Sequence, residues 1–188
     1  MENKIRIQSN LDVLQKFASS YPVNVEGAAN AIGVRVFYDE LPSGISGKIQ
    51  RDEQGKYYIV ANRLEPEVRQ RFTIAHELGH YIYHRSLIGD GVADTPAYRA
   101  PDLTIYDETP LERFHEAQAN QFAANLLMPR RLIRIAEAAH PEADVQELAR
   151  LFRVSEDAMR IRKGLPTRKQ ESLRAPWARR LEAALIIV

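Results

Sequence analysis

The chain has 188 residues, of which 45% are apolar and 27% charged, and its formal net charge is +1. This composition fits one globular domain, and the absence of cysteine excludes disulfides and thiolate zinc sites, so any metal must be bound by His, Asp or Glu. No apolar run approaches the roughly 18 residues of a transmembrane helix, and the first residues lack the apolar core of a signal peptide; we therefore expect a cytoplasmic protein with no membrane partner.

The first third of the chain is predicted to contain two helices and a small sheet. Apolar spacing indicates helices over residues 9–20 and 24–32. Strand-forming residues follow at 34–38, 45–49 and 56–62, separated by turn-forming residues. Because the connections are short, we expect the three strands to pair as an antiparallel meander.

Helices dominate the rest of the prediction. One helix is expected over residues 66–84 and another over residues 110–128, where a Thr-Pro pair suits a helix start. Residues 85–109 between them show no sustained periodicity, and they form either a lid or substrate-contacting loop or a disordered surface excursion. Further helices are expected over residues 130–139, 144–152, 155–163 and 174–186.

The predicted fold class is therefore α+β: a small three-stranded antiparallel sheet packed on two helices, followed by a helical C-terminal region. We expect a core over residues 1–140 and an extension over residues 141–188 whose helices pack on that core. Residues 1–128 carry 13 basic and 17 acidic side chains, whereas residues 129–188 carry 13 and 8. This basic excess suits either an acidic or nucleic-acid partner or solvated helix faces, and its modest size favours the second interpretation.

The helix over residues 66–84 contains the pattern His-Glu-x-x-His. His76 and His80 are four residues apart and lie on one helix face, where two imidazoles can bind one tetrahedral metal ion, usually zinc. Glu77 is adjacent to His76 and can reach a metal-bound water as a general base without being a ligand. Gly79 costs roughly 1 kcal/mol relative to Ala inside a helix, which suggests that a side chain there would crowd a neighbouring strand or the substrate.

A catalytic zinc site needs a third protein ligand, with the fourth position left for water. Metzincins place a third His six residues after the second one, and here that position is Ser86. His84 extends the same helix face, but it lies about 12 Å from His76 along the axis at about 1.5 Å per residue. We therefore expect His84 to pack beside the site or to support another ligand.

The helix over residues 110–128 offers two carboxylates as the third ligand, Glu112 and Glu116. Glu112 lies near the helix start, where the helix dipole already explains an acidic residue. Glu116 is followed by Asn120 on the same helix face, and that amide could hydrogen-bond to His76 or His80 and fix the ring orientation. We therefore select Glu116 as the ligand and Asn120 as its supporting neighbour.

Two segments resemble the two signatures of the ImmA/IrrE-type metallopeptidases. The first is FTIAHELGHY at residues 72–81, and the second is EAQANQFAANLLMP at residues 116–129. The resemblance spans roughly residues 25–165 and implies a small gluzincin-like fold. It also implies that His76, His80 and Glu116 are the metal ligands and that Glu77 is the catalytic base. Many members have Glu where this chain has Gln118; the Glu116–Asn120 spacing favours Glu116 as the ligand, with Gln118 facing elsewhere.

The predicted function is that of a zinc-dependent endopeptidase, with Mn²⁺ as a second metal that similar ligands could bind. The resemblance implies a narrow substrate, a cognate XRE-type helix-turn-helix repressor or an antitoxin, in a phage, mobile element, toxin–antitoxin pair or stress response. An extended substrate could pair with the edge of strand 56–62. The oxyanion-stabilising residue stays open among Tyr98, Tyr106, His115 and His140.

Two alternatives remain, a DNA-binding regulator and a non-catalytic interaction module that keeps the zinc-peptidase fold. Residues 145–159 read like the first two helices of a helix-turn-helix unit. Direct DNA binding is disfavoured because the second of these helices would begin with Glu156-Asp157, which repels phosphates. The intact Glu77 disfavours the non-catalytic module.

Overall fold

The computed structural model describes residues 2–88, 92–94 and 110–173. The fold class is α+β, as predicted, with a small sheet and a helical C-terminal region. The strands are β1 (Arg35–Asp39), β2 (Gly47–Arg51), β3 (Tyr57–Asn62) and β4 (Val92–Asp94). The helices are α1 (Glu2–Phe17), α2 (Val25–Ala31), α3 (Glu67–Tyr83), α4 (Pro110–Leu127), α5 (Arg130–Ala139), α6 (Val145–Phe152), α7 (Glu156–Arg162) and α8 (Arg168–Leu173).

Most predicted elements agree with the structure to within a residue or two at their ends. The first helix differs, because α1 begins at Glu2 rather than at residue 9. The predicted helix over residues 174–186 and most of the irregular stretch 85–109 lie outside the described residues. Within the described ranges, no helix has the length and apolar character that a bilayer-spanning helix requires.

The sheet is mixed, which corrects the predicted antiparallel meander. Its strand order is β1-β3-β2-β4, with β2 antiparallel to β3 and β4, and β1 parallel to β3. The short connection after β1 does not form a hairpin. It places β2 on the opposite side of β3 from β1. Asn62 at the end of β3 fixes this connection, since its side-chain amide donates to the carbonyl of Ile45 at 3.0 Å and its backbone N–H donates to that of Ser46 at 2.8 Å.

Strand β3 is therefore an interior strand. Residues 58–62 pair with β1 on one side, and residues 57–61 pair with β2 on the other. Because both of its edges are occupied, the prediction that an extended substrate pairs with this strand is wrong. Among the strands that the structure describes, the outer positions belong to β1 and β4.

Helix α3 is the centre of the fold, since it packs on β2 and β3 and also on α4. Every residue from Thr73 to Ile82 is buried. Gly47 on β2 permits this close packing, because a Cβ atom there would lie 2.3 Å from Cγ2 of Thr73. The helix that carries the histidine motif is thus covered on nearly all sides, and its position is set by both the sheet and α4.

The C-terminal helices share one apolar core with the N-terminal part of the chain. The Phe152 ring at the end of α6 stacks on Tyr21, with centroids 4.7 Å apart, and Leu148 and Met159 are fully buried in the same core. The predicted extension over residues 141–188 lies partly outside the described residues, so its packing on the core as a whole stays a prediction. The division at residue 140 into a core and an extension stays a prediction.

Candidate metal centre

The two histidines of the motif point towards one another from successive turns of α3. Their Nε2 atoms are 3.0 Å apart, and the two side chains are 0% and 4% exposed. Because two protonated imidazoles would repel at this separation, the close approach of His76 and His80 suits unprotonated Nε2 atoms that share one cation.

Glu116 completes the group from α4. Its Oε2 atom lies 3.2 Å from Nε2 of His76, and its Oε1 atom lies 3.1 Å from Nε2 of His80. The ligand atoms of all three residues lie within 4.8 Å of one another. Donor atoms around a tetrahedral zinc ion with bonds of about 2.0–2.1 Å lie about 3.3 Å apart. Two imidazoles and one carboxylate at this spacing therefore fit a small divalent cation.

The carboxyl group of Glu116 is held in its ionised form. With no cation between them, burial acts to raise the pKa of Glu116, but hydrogen bonds from the Nε2–H groups of His76 and His80, and the charge of these rings when protonated, outweigh burial and lower the pKa to about 2. The group is therefore a carboxylate at any pH near neutrality, which is the form that binds a metal. The side chain of Glu112, the other carboxylate considered, lies outside the described residues.

Asn120 supports His76 from behind. Its Oδ1 atom lies 3.0 Å from Nδ1 of His76, so the amide oxygen accepts a hydrogen bond from the Nδ1–H group. This bond fixes the ring orientation and leaves the Nε2 lone pair directed at the centre. The sequence predicted a bond from Asn120 to one of the two motif histidines, and the structure places it on His76.

His80 is supported by a second pair of residues. Its Nδ1 atom lies 3.1 Å from Nδ1 of His84, and Nε2 of His84 lies 3.0 Å from Oε1 of Gln118. Burial, more than the opposing hydrogen bond to Gln118, lowers the pKa of His84 and keeps the ring neutral. Gln118 thus faces His84 rather than the ligand group. Sequence reasoning left the role of His84 open and did not pair it with Gln118, although the spacing of four residues after His80 was a usable signal.

Glu77 lies within the buried part of α3, directly after His76, and its side chain is 0% exposed. Of the residues considered as oxyanion donors, His115 packs its ring 4.5 Å from that of His84, and His140 is exposed at the end of α5. Tyr98 and Tyr106 lie outside the described residues. The described residues therefore single out no oxyanion donor.

Gly79 sets the distance between the two helices that carry the site. A Cβ atom at this position would lie 2.9 Å from Cα of Ala119 and 3.2 Å from its carbonyl oxygen. A side chain at this position would therefore crowd α4, whereas the sequence suggested a neighbouring strand or the substrate. Because α4 approaches α3 this closely, the short side chains of Glu116 and Asn120 reach the two histidines.

Several basic side chains of the described C-terminal helices form ion pairs. Arg160 pairs with Glu156 at 2.9 Å and with Glu171 at 2.7 Å, and Arg168 also pairs with Glu156. Lys163 pairs with a glutamate of α5 at 2.6 Å. These contacts agree with solvated, charge-balanced helix faces rather than with a basic surface directed at phosphates.

Comparison with known proteins gives similar solved structures and a family. No curated protein matches the chain at a significant level. A structure described as a Mycobacterium tuberculosis transcriptional regulator is 18% identical, with a TM-score of 0.53 over 86% of this chain and 48% of that one. The chain therefore spans about half the length of that protein, and the likeness concerns the fold.

The family model described as the IrrE N-terminal-like domain, Peptidase_M78, matches residues 29–163. This range includes both helices of the candidate metal centre and the three longer strands of the sheet. Since it covers well over half of the chain, the chain belongs to the IrrE N-terminal-like (Peptidase_M78) family.

Proposed function

We propose that this protein is a zinc-dependent endopeptidase in which His76, His80 and Glu116 bind the metal and Glu77 is the general base. The observation that carries the proposal is the convergence of two imidazoles and one carboxylate within 4.8 Å. The buried carboxyl group of Glu77 next to His76 and the membership of a peptidase family support it further.

The side chains of the site divide the chemistry between them. A divalent cation held there supplies a Lewis acid that polarises a peptide carbonyl and lowers the pKa of a water molecule towards about 7. Glu77 accepts a proton from the attacking water and delivers it to the leaving amine. Zn²⁺ is the default ion for two histidines and one carboxylate, and Mn²⁺ is the alternative.

We propose a narrow substrate, a cognate XRE-type helix-turn-helix repressor or an antitoxin, in a phage, mobile element, toxin–antitoxin pair or stress response. The resemblance to the ImmA/IrrE-type metallopeptidases implies a partner of this kind, and the match to the IrrE N-terminal-like family agrees with that resemblance. If an extended substrate segment adds to the sheet, it must use an outer strand, β1 or β4, because β3 is paired on both sides.

The test is coexpression with the protein encoded beside this chain, comparing the wild type with Glu77→Gln. We expect cleavage by the wild type, loss of cleavage by at least about 100-fold in the variant, consistent with general-base contributions of that size, and an unchanged zinc content in both. Cleavage by Glu77→Gln at the wild-type rate would contradict the proposed mechanism.

A matched control is available on the same helix. Glu67 lies in the first turn of α3, where its side chain is 53% exposed and pairs with Arg153. Glu67→Gln removes a carboxylate of the same size from α3 without touching the metal group, so cleavage should persist. If both variants lose cleavage equally, the effect belongs to the helix and not to the base.

A DNA-binding regulator is the competing proposal, since α6 and α7 follow one another as a helix-turn-helix unit does. The ion pairs of Arg160 and Arg168 with neighbouring carboxylates oppose it. An electrophoretic shift with duplex DNA that weakens steeply with salt would support DNA binding. No shift at low salt would remove it. If the wild type binds zinc but does not cleave the coexpressed protein, the result would favour a non-catalytic module.

A further inference from the structure

The two metal-facing histidines are supported differently. His76 donates directly to an amide oxygen of α4, that of Asn120, at 3.0 Å. His80 instead contacts a third imidazole, that of His84 at 3.1 Å, and this ring contacts the amide oxygen of Gln118 at 3.0 Å. Both supports therefore end on a side-chain amide of α4, and the second contains one additional ring.

The direction of each hydrogen bond in the second support follows from the ligand group. When a divalent cation is bound, Nε2 of His80 presents its lone pair to the cation, so the proton of that ring is on Nδ1 and is donated to His84. Nδ1 of His84 must then be an acceptor, so its own proton is on Nε2 and is donated to Gln118. In the series His80–His84–Gln118, each bonded atom is thus either a donor or an acceptor, and both imidazole rings are neutral.

We propose that His84 and Gln118 are positioning residues that hold the His80 ring in the Nδ1–H tautomer and so present its Nε2 atom to a divalent cation. This inference rests on the metal site proposed above, but it does not require the site to cleave peptides. His84 is 5% exposed, so water has little access to replace either of its hydrogen bonds.

The polarity of the chain predicts which substitutions are tolerated. His84→Phe keeps an aromatic ring but removes the acceptor for His80. His84→Asn keeps an acceptor, because its Oδ1 atom takes nearly the place of the imidazole Nδ1. Gln118→Leu removes the acceptor at the end of the chain, whereas Gln118→Glu retains it.

The matched control is Gln121→Leu, because Gln121 lies on the same helix but bonds only to Asn125 at 3.2 Å on the surface. Zn²⁺ affinity is measured by competition with a chromophoric chelator on the full chain, with folding checked by thermal unfolding in the presence of EDTA. We expect His84→Phe and Gln118→Leu to weaken Zn²⁺ binding by roughly 10–100-fold, the usual effect of losing such a supporting hydrogen bond. His84→Asn, Gln118→Glu and Gln121→Leu should stay within about threefold of the wild type on the same reasoning.

A spectroscopic measurement separates positioning from simple packing. In ¹⁵N spectra of histidine-labelled protein loaded with Zn²⁺, the Nδ1–H proton of His80 should be protected from exchange with water in the wild type, because it is bonded to His84, and should exchange faster in Gln118→Leu. If Gln118→Leu binds Zn²⁺ like the wild type, or if its His80 Nδ1–H proton is equally protected, the proposal is overturned. If His84→Phe does not fold, the two Gln118 variants decide the question alone.

The result can be told apart from a failure of the peptidase proposal. If the wild type binds Zn²⁺ but cleaves nothing, the peptidase proposal is contradicted. The Zn²⁺ affinities of the His84 and Gln118 variants then still test the positioning role. Equal affinities across the series in an active peptidase would remove the positioning role alone.

Discussion

At the scale of single residues, the supports of the metal centre are neutral acceptors. Asn120 accepts from His76, and His84 accepts from His80. A carboxylate behind each histidine would add negative charge to a buried site, whereas an amide or an imidazole orients the ring without adding any. Glu116 is then the only charged protein ligand, so a bound divalent cation keeps a net positive charge and remains an effective Lewis acid.

Asn120→Ala tests the support of His76. The variant removes the acceptor of the Nδ1–H group, so the imidazole can rotate or change tautomer, and we expect Zn²⁺ affinity to fall by roughly 10–100-fold. The control is Asn125→Ala on the same helix, an exposed residue that bonds only to Gln121. Chelator competition measures both. Equal affinity of the two variants would show that the 3.0 Å contact to His76 does not orient the ring.

The sequence predicted the residues of the candidate site better than their contacts. His76 and His80 follow from helical spacing alone, and Asn120 follows from its position one turn after Glu116. Which histidine Asn120 supports depends on how far α4 is displaced along α3, and the sequence of either helix does not contain that offset. The hydrogen bond between His84 and Gln118 also depends on this offset between α3 and α4, so the sequence did not predict it.

At the scale of elements, the site depends on the contact between α3 and α4. Gly79 and Ala119 meet where the helices are closest, and both are buried. Small residues on both sides allow the two backbones to approach. The side chains of Glu116 and Asn120 on α4 can then reach the histidines of α3. A glycine that is unfavourable for the helix alone is thus required by the pair of helices.

Gly79→Ala should destabilise the protein although alanine favours helices. At an exposed position this change would raise the free energy of unfolding by about 1 kcal/mol. Here the new Cβ atom meets backbone atoms of Ala119, which cannot move aside alone, so we expect a loss of about 1–3 kcal/mol. Urea unfolding of the metal-free protein measures it, and Zn²⁺ affinity should fall with it because Glu116 moves. A more stable variant with unchanged affinity would contradict this contact.

The sheet shows where element prediction ends. The segments of β1, β2 and β3 were all predicted, because β-branched and aromatic residues mark strands locally. The pairing of these strands was predicted wrongly. A short connection usually forms a hairpin, but the connection after β1 crosses to the other side of β3. The anchor of this crossing is Asn62, whose contact with Ile45 joins residues far apart in the sequence. Nothing in the local pattern of either segment marks that contact.

At the scale of the whole molecule, Arg71 connects α3 with two distant parts of the chain. Its Nη2 atom donates to the carbonyl of Val23, just before α2, at 2.9 Å, and its Nε atom donates to the carbonyl of Arg153, just after α6, at 3.1 Å. The side chain is only 8% exposed. One guanidinium group thus satisfies two backbone carbonyls that no helix or strand bond uses, and it joins the N-terminal and C-terminal parts of the fold through the helix that carries the metal centre.

Arg71→Met should therefore lower global stability without changing the metal site. The methionine fills most of the volume but leaves the buried carbonyl of Val23 and the partly buried carbonyl of Arg153 without their donor. An unsatisfied buried group costs about 1–3 kcal/mol and a partly buried one less, so we expect a loss of roughly 2–4 kcal/mol. Arg63→Met is the control, because among the described residues the Arg63 side chain pairs with the exposed Glu40, and losing such a solvent-screened pair should change stability little. Urea unfolding with two probes, near-ultraviolet and far-ultraviolet circular dichroism, measures both variants, and Zn²⁺ affinity should be unchanged in each. If Arg71→Met were as stable as Arg63→Met, the C-terminal helices would be held by their apolar contacts alone; if its transition split in two, Arg71 would be what makes the two parts unfold as one.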